Sequence, residues 1–344
     1  MARYIKLNLI SLLFFFQINS YAQNIKEYFK VNVEGYEFPV FVRGNLDSEF
    51  MLLFVQGGYG ETAIDFARSD YPKWKKTLEK EIAIAYFDER GLNQKVNTID
   101  TAKITYEQYG KDLLALVKHL KLKYNRKIVL MGHSEGGASV YYALSQLTET
   151  DTTIAGSIFL NVTYTSDFSP KRYKEVRPTY LKNIAREFIG AGKDTAYWRE
   201  ALNWITVTDS IHTPEISRKW NAYTTSAFTP SKRKIGLGMA FRVIFSRPYN
   251  PYKYLYRKDN ELVDDLLWAD ERKLETVSTE ITNRQPVLLV TGRYDDIACP
   301  EEQDLFQEAI PNTEIRILPD CGHESFLDQP VLLQEAINHF LESI

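Results

Sequence analysis

The sequence predicts an α/β protein, with a mostly parallel sheet covered by helices on both faces and an inserted helical cap. In the first and last parts of the 344-residue chain, short apolar runs alternate with helical patterns, as in parallel sheets. Between residues 162 and 284 this alternation stops, and the readable periodicity is helical. We therefore expect a core formed by 23–161 and 285–344, interrupted by a cap at 162–284.

Each core element follows from its local pattern. Alternating apolar and polar residues on either side of Gly35 predict a hairpin over 27–44. Continuous apolar runs predict buried strands at 50–58, 81–91, 126–132, 154–161, 285–292 and 313–320. Helical spacing predicts helices over 106–124, 138–147, 300–310 and 329–343. The insertion holds four of the five tryptophans, Trp198, Trp204, Trp220 and Trp268.

Composition narrows the classes of partner. The net charge is −3 and no long basic run occurs, so nucleic acid is not an expected partner. At the N-terminus, Arg3 and Lys6 precede an apolar run, and Ala22 ends a stretch with the small residues that a signal peptidase requires. A membrane anchor is the alternative, but the apolar run is shorter than the roughly 20 residues needed to span a bilayer. We expect residues 1–22 to be a cleaved signal peptide and the protein to be periplasmic or secreted.

The stretch LMGHSEGGAS (130–139) places a serine between two glycines, at the junction of a predicted strand and a predicted helix. A Gly-x-Ser-x-Gly turn in this context is tight, and it exposes the serine hydroxyl at the carboxyl edge of the sheet. An ordinary glycine-rich turn is the alternative, but both flanking elements match the first interpretation. Ser134 is therefore the predicted nucleophile.

A serine needs a base, and the base needs an orienting acid. Of the five histidines, His323 follows the final predicted strand, where a loop can reach Ser134. His119, His133, His212 and His339 lie elsewhere or point away. For the acid, Asp295 and Asp296 both follow the strand at 285–292, and spacing alone does not choose between them.

GHSEGG, GRYDDIACP and GHESF, in this order, resemble the α/β-hydrolase family. VQGGYG (55–60) and FDERG (87–91) resemble signatures of its proline iminopeptidase group, over roughly 36–161 and 285–342. The resemblance implies Asp295 as the acid, and the backbone N–H groups of Gly58 and Glu135 as the oxyanion hole. Gln56 and Tyr59 depart from the signature His-Gly-Gly-Pro-Gly, in which histidine and proline stand.

These residues imply an acyl-enzyme mechanism without a metal or cofactor. The expected substrate is a small peptide or amide with an apolar or proline-like N-terminal residue. A carboxylesterase acting on small acyl or aromatic esters is the close alternative, and a non-catalytic binding protein is the alternative of another class. The acidic residues Glu175, Glu187 and Glu200 of the insertion are candidates for contact with a substrate amine, although solvated helix positions explain them equally.

Three further side chains have two interpretations each. The Glu135 carboxylate either contacts a cationic substrate group or sits in the first turn of a helix, where negative charge is favoured. Arg90 is interpreted as part of a structural corner, with substrate contact as the alternative. Cys299 and Cys321, the only cysteines, could join the acid and base loops by a disulfide in an exported protein, or Cys299 could be a small buried hydrophobe.

Overall fold

The computed structural model describes residues 24–58, 61–92, 94, 96–166, 168–228, 258–270, 281 and 284–344. The predicted signal peptide, Tyr59 and much of the second half of the predicted cap lie outside these residues. None of the helices in the described ranges is long and apolar enough to cross a membrane.

In the described part of the chain, eight strands form one sheet. They are β1 (Asn24–Val33), β2 (Tyr36–Asn45), β3 (Phe50–Val55), β4 (Ala83–Phe87), β5 (Lys127–His133), β6 (Gly156–Leu160), β7 (Val287–Gly292) and β8 (Thr313–Leu318). Their spatial order is β1-β2-β4-β3-β5-β6-β7-β8. The β1–β2 hairpin and the β2–β4 pair are antiparallel, and the other neighbours are parallel. The predicted mostly parallel sheet is confirmed, including every predicted strand.

Helices follow the core strands. They are α1 (Ala63–Ser69), α2 (Leu78–Glu81), α3 (Tyr106–Tyr124), α4 (Gly136–Ser145), α9 (Gln303–Ala309), α10 (Ser325–Asp328) and α11 (Pro330–Ser343). Within the described ranges, four more helices lie between β6 and β7 and are given below. The short helices α1, α2 and α10 were not predicted from the sequence, because one or two turns do not establish a period.

Two apolar clusters lie on the two faces of the sheet. One packs β-strand side chains against α3 and α4, and includes Leu113, Val117 and Tyr141. The other packs them against α1 and α11, and includes Phe66 and Ile337. The helices therefore cover both faces, as the near-continuous apolar composition of the parallel strands requires.

The described part of the insertion is helical. It contains α5 (Arg177–Gly190), α6 (Thr195–Thr206), α7 (Pro214–Ala227) and α8 (Lys258–Asp270). A separate apolar cluster holds α5, α6 and α7 together around Tyr180, Trp198 and Trp220. Its aromatic side chains thus build the insertion's own core.

Candidate active site

Ser134 sits on a strained turn between β5 and α4. Its backbone φ is +50°, a left-handed conformation that costs a non-glycine residue roughly 1–2 kcal/mol. Its N–H donates to the Leu160 carbonyl of β6 at 2.9 Å. The flanking glycines are required by contact: a Cβ on Gly132 would lie 2.9 Å from the Gly136 carbonyl oxygen, and one on Gly136 would lie 2.6 Å from the Val55 carbonyl oxygen.

His323 lies between Ser134 and Asp295. Its Nε2 is 2.8 Å from the Ser134 Oγ, and its Nδ1 is 3.0 Å from each carboxylate oxygen of Asp295. The Asp295 side chain is fully buried, whereas that of His323 is 18% exposed. The three residues predicted from the sequence thus meet at the carboxyl edge of the sheet.

The protonation of His323 depends on its neighbours. Burial lowers the pKa of His323, but the charge and hydrogen bond of Asp295 outweigh burial and raise this pKa above its ordinary value. The neighbouring His133 behaves in the opposite way, since burial and the proximity of His323 lower its pKa to about 3. His133 therefore stays neutral, and its Nε2 lies 3.3 Å from the His323 carbonyl oxygen.

The choice between the two aspartates is made by side-chain direction. Asp295 Oδ1 accepts the backbone N–H groups of Ile297 (3.0 Å) and Ala298 (2.8 Å), which turn its carboxylate towards His323. Asp296 instead accepts a hydrogen bond of 2.7 Å from the Thr224 hydroxyl of α7. Asp295 is therefore the carboxylate in contact with the imidazole, in agreement with the family resemblance.

Asn161 was not singled out by the sequence analysis. It is fully buried at the end of β6 with a φ of +52°. Its Nδ2 donates to Asp295 Oδ2 at 2.8 Å and to the Gly322 carbonyl at 3.1 Å. One side chain therefore ties the acid loop to the base loop. The signal available in the sequence was a polar residue directly after an apolar strand, at the same edge of the sheet as the predicted nucleophile.

The predicted oxyanion hole lies where Gly57 and Gly58 approach the N-terminus of α4. Gly58 has a φ of +87° and is exposed. Gly57 packs directly on Ser134, since a Cβ there would lie 2.6 Å from the Ser134 Cβ and 2.3 Å from the His133 carbonyl oxygen. Gln56, where the family signature has histidine, is buried, and its amide contacts Glu61 at 3.4 Å.

The carboxylate of Glu135 faces inward. It accepts a hydrogen bond of 2.6 Å from the Tyr106 hydroxyl, while its backbone precedes the first turn of α4. Behind it, the buried Glu89 accepts a hydrogen bond of 3.0 Å from the Ser139 hydroxyl. Burial, reinforced by the charge of Glu135, raises the pKa of Glu89 well above its ordinary value. The carboxyl groups of Glu135 and Glu89 thus lie in one electrostatic environment, next to the turn that carries Ser134.

Three other residues named in the sequence analysis form ion pairs or hydrogen bonds within the protein. Arg90 is buried and forms a bidentate ion pair with Asp112 at 2.7 and 2.8 Å, which supports the structural-corner interpretation. In the insertion, Glu187 pairs with Arg293 and Glu200 accepts from the Tyr223 hydroxyl. Within the described ranges, no group of three or more His, Cys, Asp or Glu side chains is arranged to hold a metal ion.

The disulfide hypothesis is wrong for this structure. Cys299 and Cys321 are both free and buried. They also pack in different places, because Cys299 belongs to the apolar cluster of the insertion and Cys321 to a cluster of the sheet. Each thiol is therefore a small buried hydrophobe, and burial raises the pKa of Cys299 well above its ordinary value.

Comparison with known proteins defines the class. A family model described as the alpha/beta hydrolase fold matches residues 51–330, and the chain belongs to this family. Among solved structures, a proline iminopeptidase from Mycobacterium smegmatis superposes with a TM-score of 0.57 at 14% identity, covering 92% of this chain and 98% of that one. The epoxide hydrolase CorEH superposes at 0.56 with 16% identity, covering 93% and 99%. At these identities the likeness concerns the fold.

Similarity to curated proteins is local. A chloroplast protein of Arabidopsis thaliana, provisionally named methylesterase 14, is 40% identical over 72 residues, which are 21% of this chain and 19% of that protein. A Bacillus subtilis (strain 168) protein, provisionally named a 2-succinyl-6-hydroxy-2,4-cyclohexadiene-1-carboxylate synthase, is 36% identical over 59 residues, 17% of this chain and 21% of that protein. The chain thus spans about a fifth of the length of these relatives.

Proposed function

We propose that this protein is a serine hydrolase in which Ser134, His323 and Asp295 form a catalytic triad. The observation that carries the proposal is the continuous pair of contacts through one imidazole, 2.8 Å to the serine hydroxyl and 3.0 Å to the buried carboxylate. These distances lie within the range over which a base can take the proton of a nucleophile. The left-handed φ of Ser134 adds support, because such strain concentrates at functional sites.

The reaction follows the order of these contacts. The Ser134 Oγ bonds to the acyl carbon while its proton passes to His323 Nε2, and Asp295 stabilises the imidazolium that results. The backbone N–H groups of Gly58 and Glu135 receive the oxyanion. His323 then returns the proton to the leaving group as its bond to the acyl carbon breaks. Water, deprotonated by the same imidazole, attacks the acyl-enzyme and releases the acid and the free serine.

For the substrate, we propose a small peptide or amide with an apolar or proline-like N-terminal residue. The support is the sequence resemblance of VQGGYG and FDERG to the proline iminopeptidase group. Carboxylesterase activity on small esters is the second candidate. It is favoured by the departures at Gln56 and Tyr59 and by the local similarity to the provisionally named methylesterase.

One panel of substrates separates these candidates. Prolyl-, alanyl- and leucyl-arylamides would be compared with nitrophenyl acetate and butyrate, with Ser134→Ala as the control. Higher kcat/KM on the arylamides supports the aminopeptidase, and higher kcat/KM on the esters supports the esterase. A fluorophosphonate probe tests the nucleophile itself. A folded wild-type protein that is neither labelled nor active would contradict the triad and favour the non-catalytic binding protein.

We also propose that the protein is exported, on the basis of the N-terminal sequence. Intact-mass measurement of protein recovered from the periplasm or medium tests this directly. A mature chain that begins at Gln23 is expected. A chain that keeps residues 1–22 and stays in the cytoplasm would contradict export.

A further inference from the structure

A buried ion pair joins the insertion to the loop that carries Asp295. Arg172 begins a single π-helical turn, Arg172–Val176, in the insertion, and Glu302 ends a 3₁₀ turn, Pro300–Glu302, that follows the acid loop. The Arg172 Nη1 donates to Glu302 Oε1 at 2.9 Å. Their side chains are only 2% and 5% exposed, so both charges have been removed from water.

The remaining lone pairs of Glu302 are used as well. Its Oε2 accepts the backbone N–H groups of Tyr164 (2.7 Å) and Thr165 (3.1 Å), and its Oε1 accepts the Thr165 hydroxyl at 2.9 Å. Taking two charges out of water costs several kcal/mol per ion, and the pair by itself is weak evidence for a gain in stability. The contacts by which the pair positions its neighbours therefore matter as well as its effect on stability.

The second arm of the guanidinium reaches the acid loop. The Arg172 Nη2 donates to the carbonyl oxygen of Ile297. That carbonyl belongs to the same planar peptide unit as the N–H of Ala298. The Ala298 N–H, in turn, donates to Asp295 Oδ1 at 2.8 Å. One rigid peptide unit is thus held by Arg172 at one end and holds the acid at the other.

From this geometry we propose that Arg172 is a positioning residue that sets the orientation of the Asp295 carboxylate on His323 through the 297–298 peptide. The guanidinium is itself fixed by Glu302, because its planar fork can engage two acceptors at once. The insertion therefore helps to assemble the triad in addition to covering it. This inference rests on the proposed hydrolase function and adds a residue to it.

The substitution Arg172→Lys tests the role with the least damage. Lysine keeps a cation beside Glu302, whereas truncation would leave a buried carboxylate unpaired. A single ammonium cannot reproduce the fork that reaches both Glu302 and the Ile297 carbonyl. We expect kcat to fall about 10- to 100-fold, because a displacement of about 1 Å at a catalytic group has effects of this size. We expect KM to change by less than about twofold.

The pH profile distinguishes positioning from mere support of the fold. The charge and hydrogen bond of Asp295 raise the pKa of His323 against the effect of burial. The acid limb of the kcat/KM profile is the rise in kcat/KM with pH as His323 loses its proton. A misplaced carboxylate should therefore move this limb to lower pH. The other titratable groups near this imidazole are His133, Glu324 and Asp296, and the substitution touches none of them. A smaller folded fraction would lower the rate without moving the limb.

Two more variants complete the experiment. Glu302→Gln has one acceptor oxygen in place of two. That oxygen can stay on the N–H groups of Tyr164 and Thr165, while the new NH₂ group faces Arg172 and no longer fixes it. The same changes are expected, and this variant decides the matter if Arg172→Lys does not fold. Arg43→Lys is the matched control, because it makes the same substitution in another buried ion pair, that of Arg43 with Glu79 at 2.5 and 2.6 Å, on elements that carry no triad residue. For this control, kcat should change by less than about twofold, and the acid limb should stay at the same pH.

The outcomes separate this inference from the proposed function. A folded wild-type protein that is neither labelled at Ser134 by the fluorophosphonate nor active would refute the hydrolase. If the wild type is labelled and active, the positioning role is refuted by folded Arg172→Lys or Glu302→Gln protein with an unchanged acid limb, whether or not kcat has fallen. A lowered kcat with the limb displaced, and no such change in Arg43→Lys, supports it.

Discussion

Replacing Asp295 with asparagine tests the triad at its most constrained point. Asp295 accepts hydrogen bonds from four donors: the Asn161 amide, the N–H groups of Ile297 and Ala298, and His323 Nδ1. An asparagine has one acceptor oxygen in place of two. Because the two backbone donors are fixed, that oxygen should stay on them, and the new NH₂ group should take the place of Oδ2.

The new amide then faces the wrong partners. It donates to His323 Nδ1, which moves the imidazole proton to Nε2, where a base for Ser134 is needed. Loss of the correct tautomer costs about 10⁴ in kcat, or about 5 kcal/mol of transition-state stabilisation at 1.36 kcal/mol per factor of ten. The NH₂ group also meets the NH₂ group of Asn161, and this donor–donor contact should lower the free energy of unfolding by about 1–3 kcal/mol.

Steady-state hydrolysis of the best substrate from the panel, with thermal unfolding in parallel, measures both effects. Asp296→Asn is the matched control, because its partner is the Thr224 hydroxyl, and we expect a loss of less than about tenfold. The reasoning would be refuted if Asp296→Asn lost more activity than Asp295→Asn. A folded Asp295→Asn protein with nearly normal kcat would refute it as well.

The remaining predictions concern pH, packing and the thiols. Since the proposed mechanism requires a neutral His323, whose pKa is raised above the ordinary 6.5, kcat/KM should reach half its maximum above pH 6.5. A midpoint below pH 6.5 would contradict this. Gly57→Ala should abolish probe labelling or folding, because its Cβ would lie 2.6 Å from the Ser134 Cβ. As a control, Gly192→Ala places its Cβ in open space at a φ of +69°. It should lower the free energy of unfolding by about 1 kcal/mol and leave activity intact. Thiol titration of denatured, unreduced protein should count two free thiols, and a count of zero would restore the disulfide hypothesis.

The pH dependence of stability should oppose that of activity. A histidine whose pKa is raised in the folded state contributes stability that is fully present below its unfolded pKa. This contribution is lost as the pH rises through the raised pKa of His323, the same interval in which kcat/KM increases. Comparing unfolding midpoints of the wild type and His323→Gln across this interval measures it.

By itself, the sequence determined the order of the strands along the chain, the turn that presents Ser134 and the chain order of the proposed acid and base. These features depend on local properties: apolar periodicity, the steric demand of a tight turn and the position of a loop after a strand. That is why the strand predictions were confirmed while the one- and two-turn helices were missed. The contact of Ser134 with His323, 189 residues apart, followed from one topological rule, that parallel strands end at the same edge.

Only the tertiary structure decided which neighbouring side chain points where. Asp295 and Asp296 are adjacent in the chain, yet the backbone N–H groups of the following turn direct one carboxylate to His323, while α7 engages the other. The Arg172–Glu302 pair joins residues 130 positions apart, and the two cysteines lie in separate apolar clusters. The physical reason is that a side chain's direction and its partners depend on packing between elements distant in sequence, about which local periodicity and spacing carry no information.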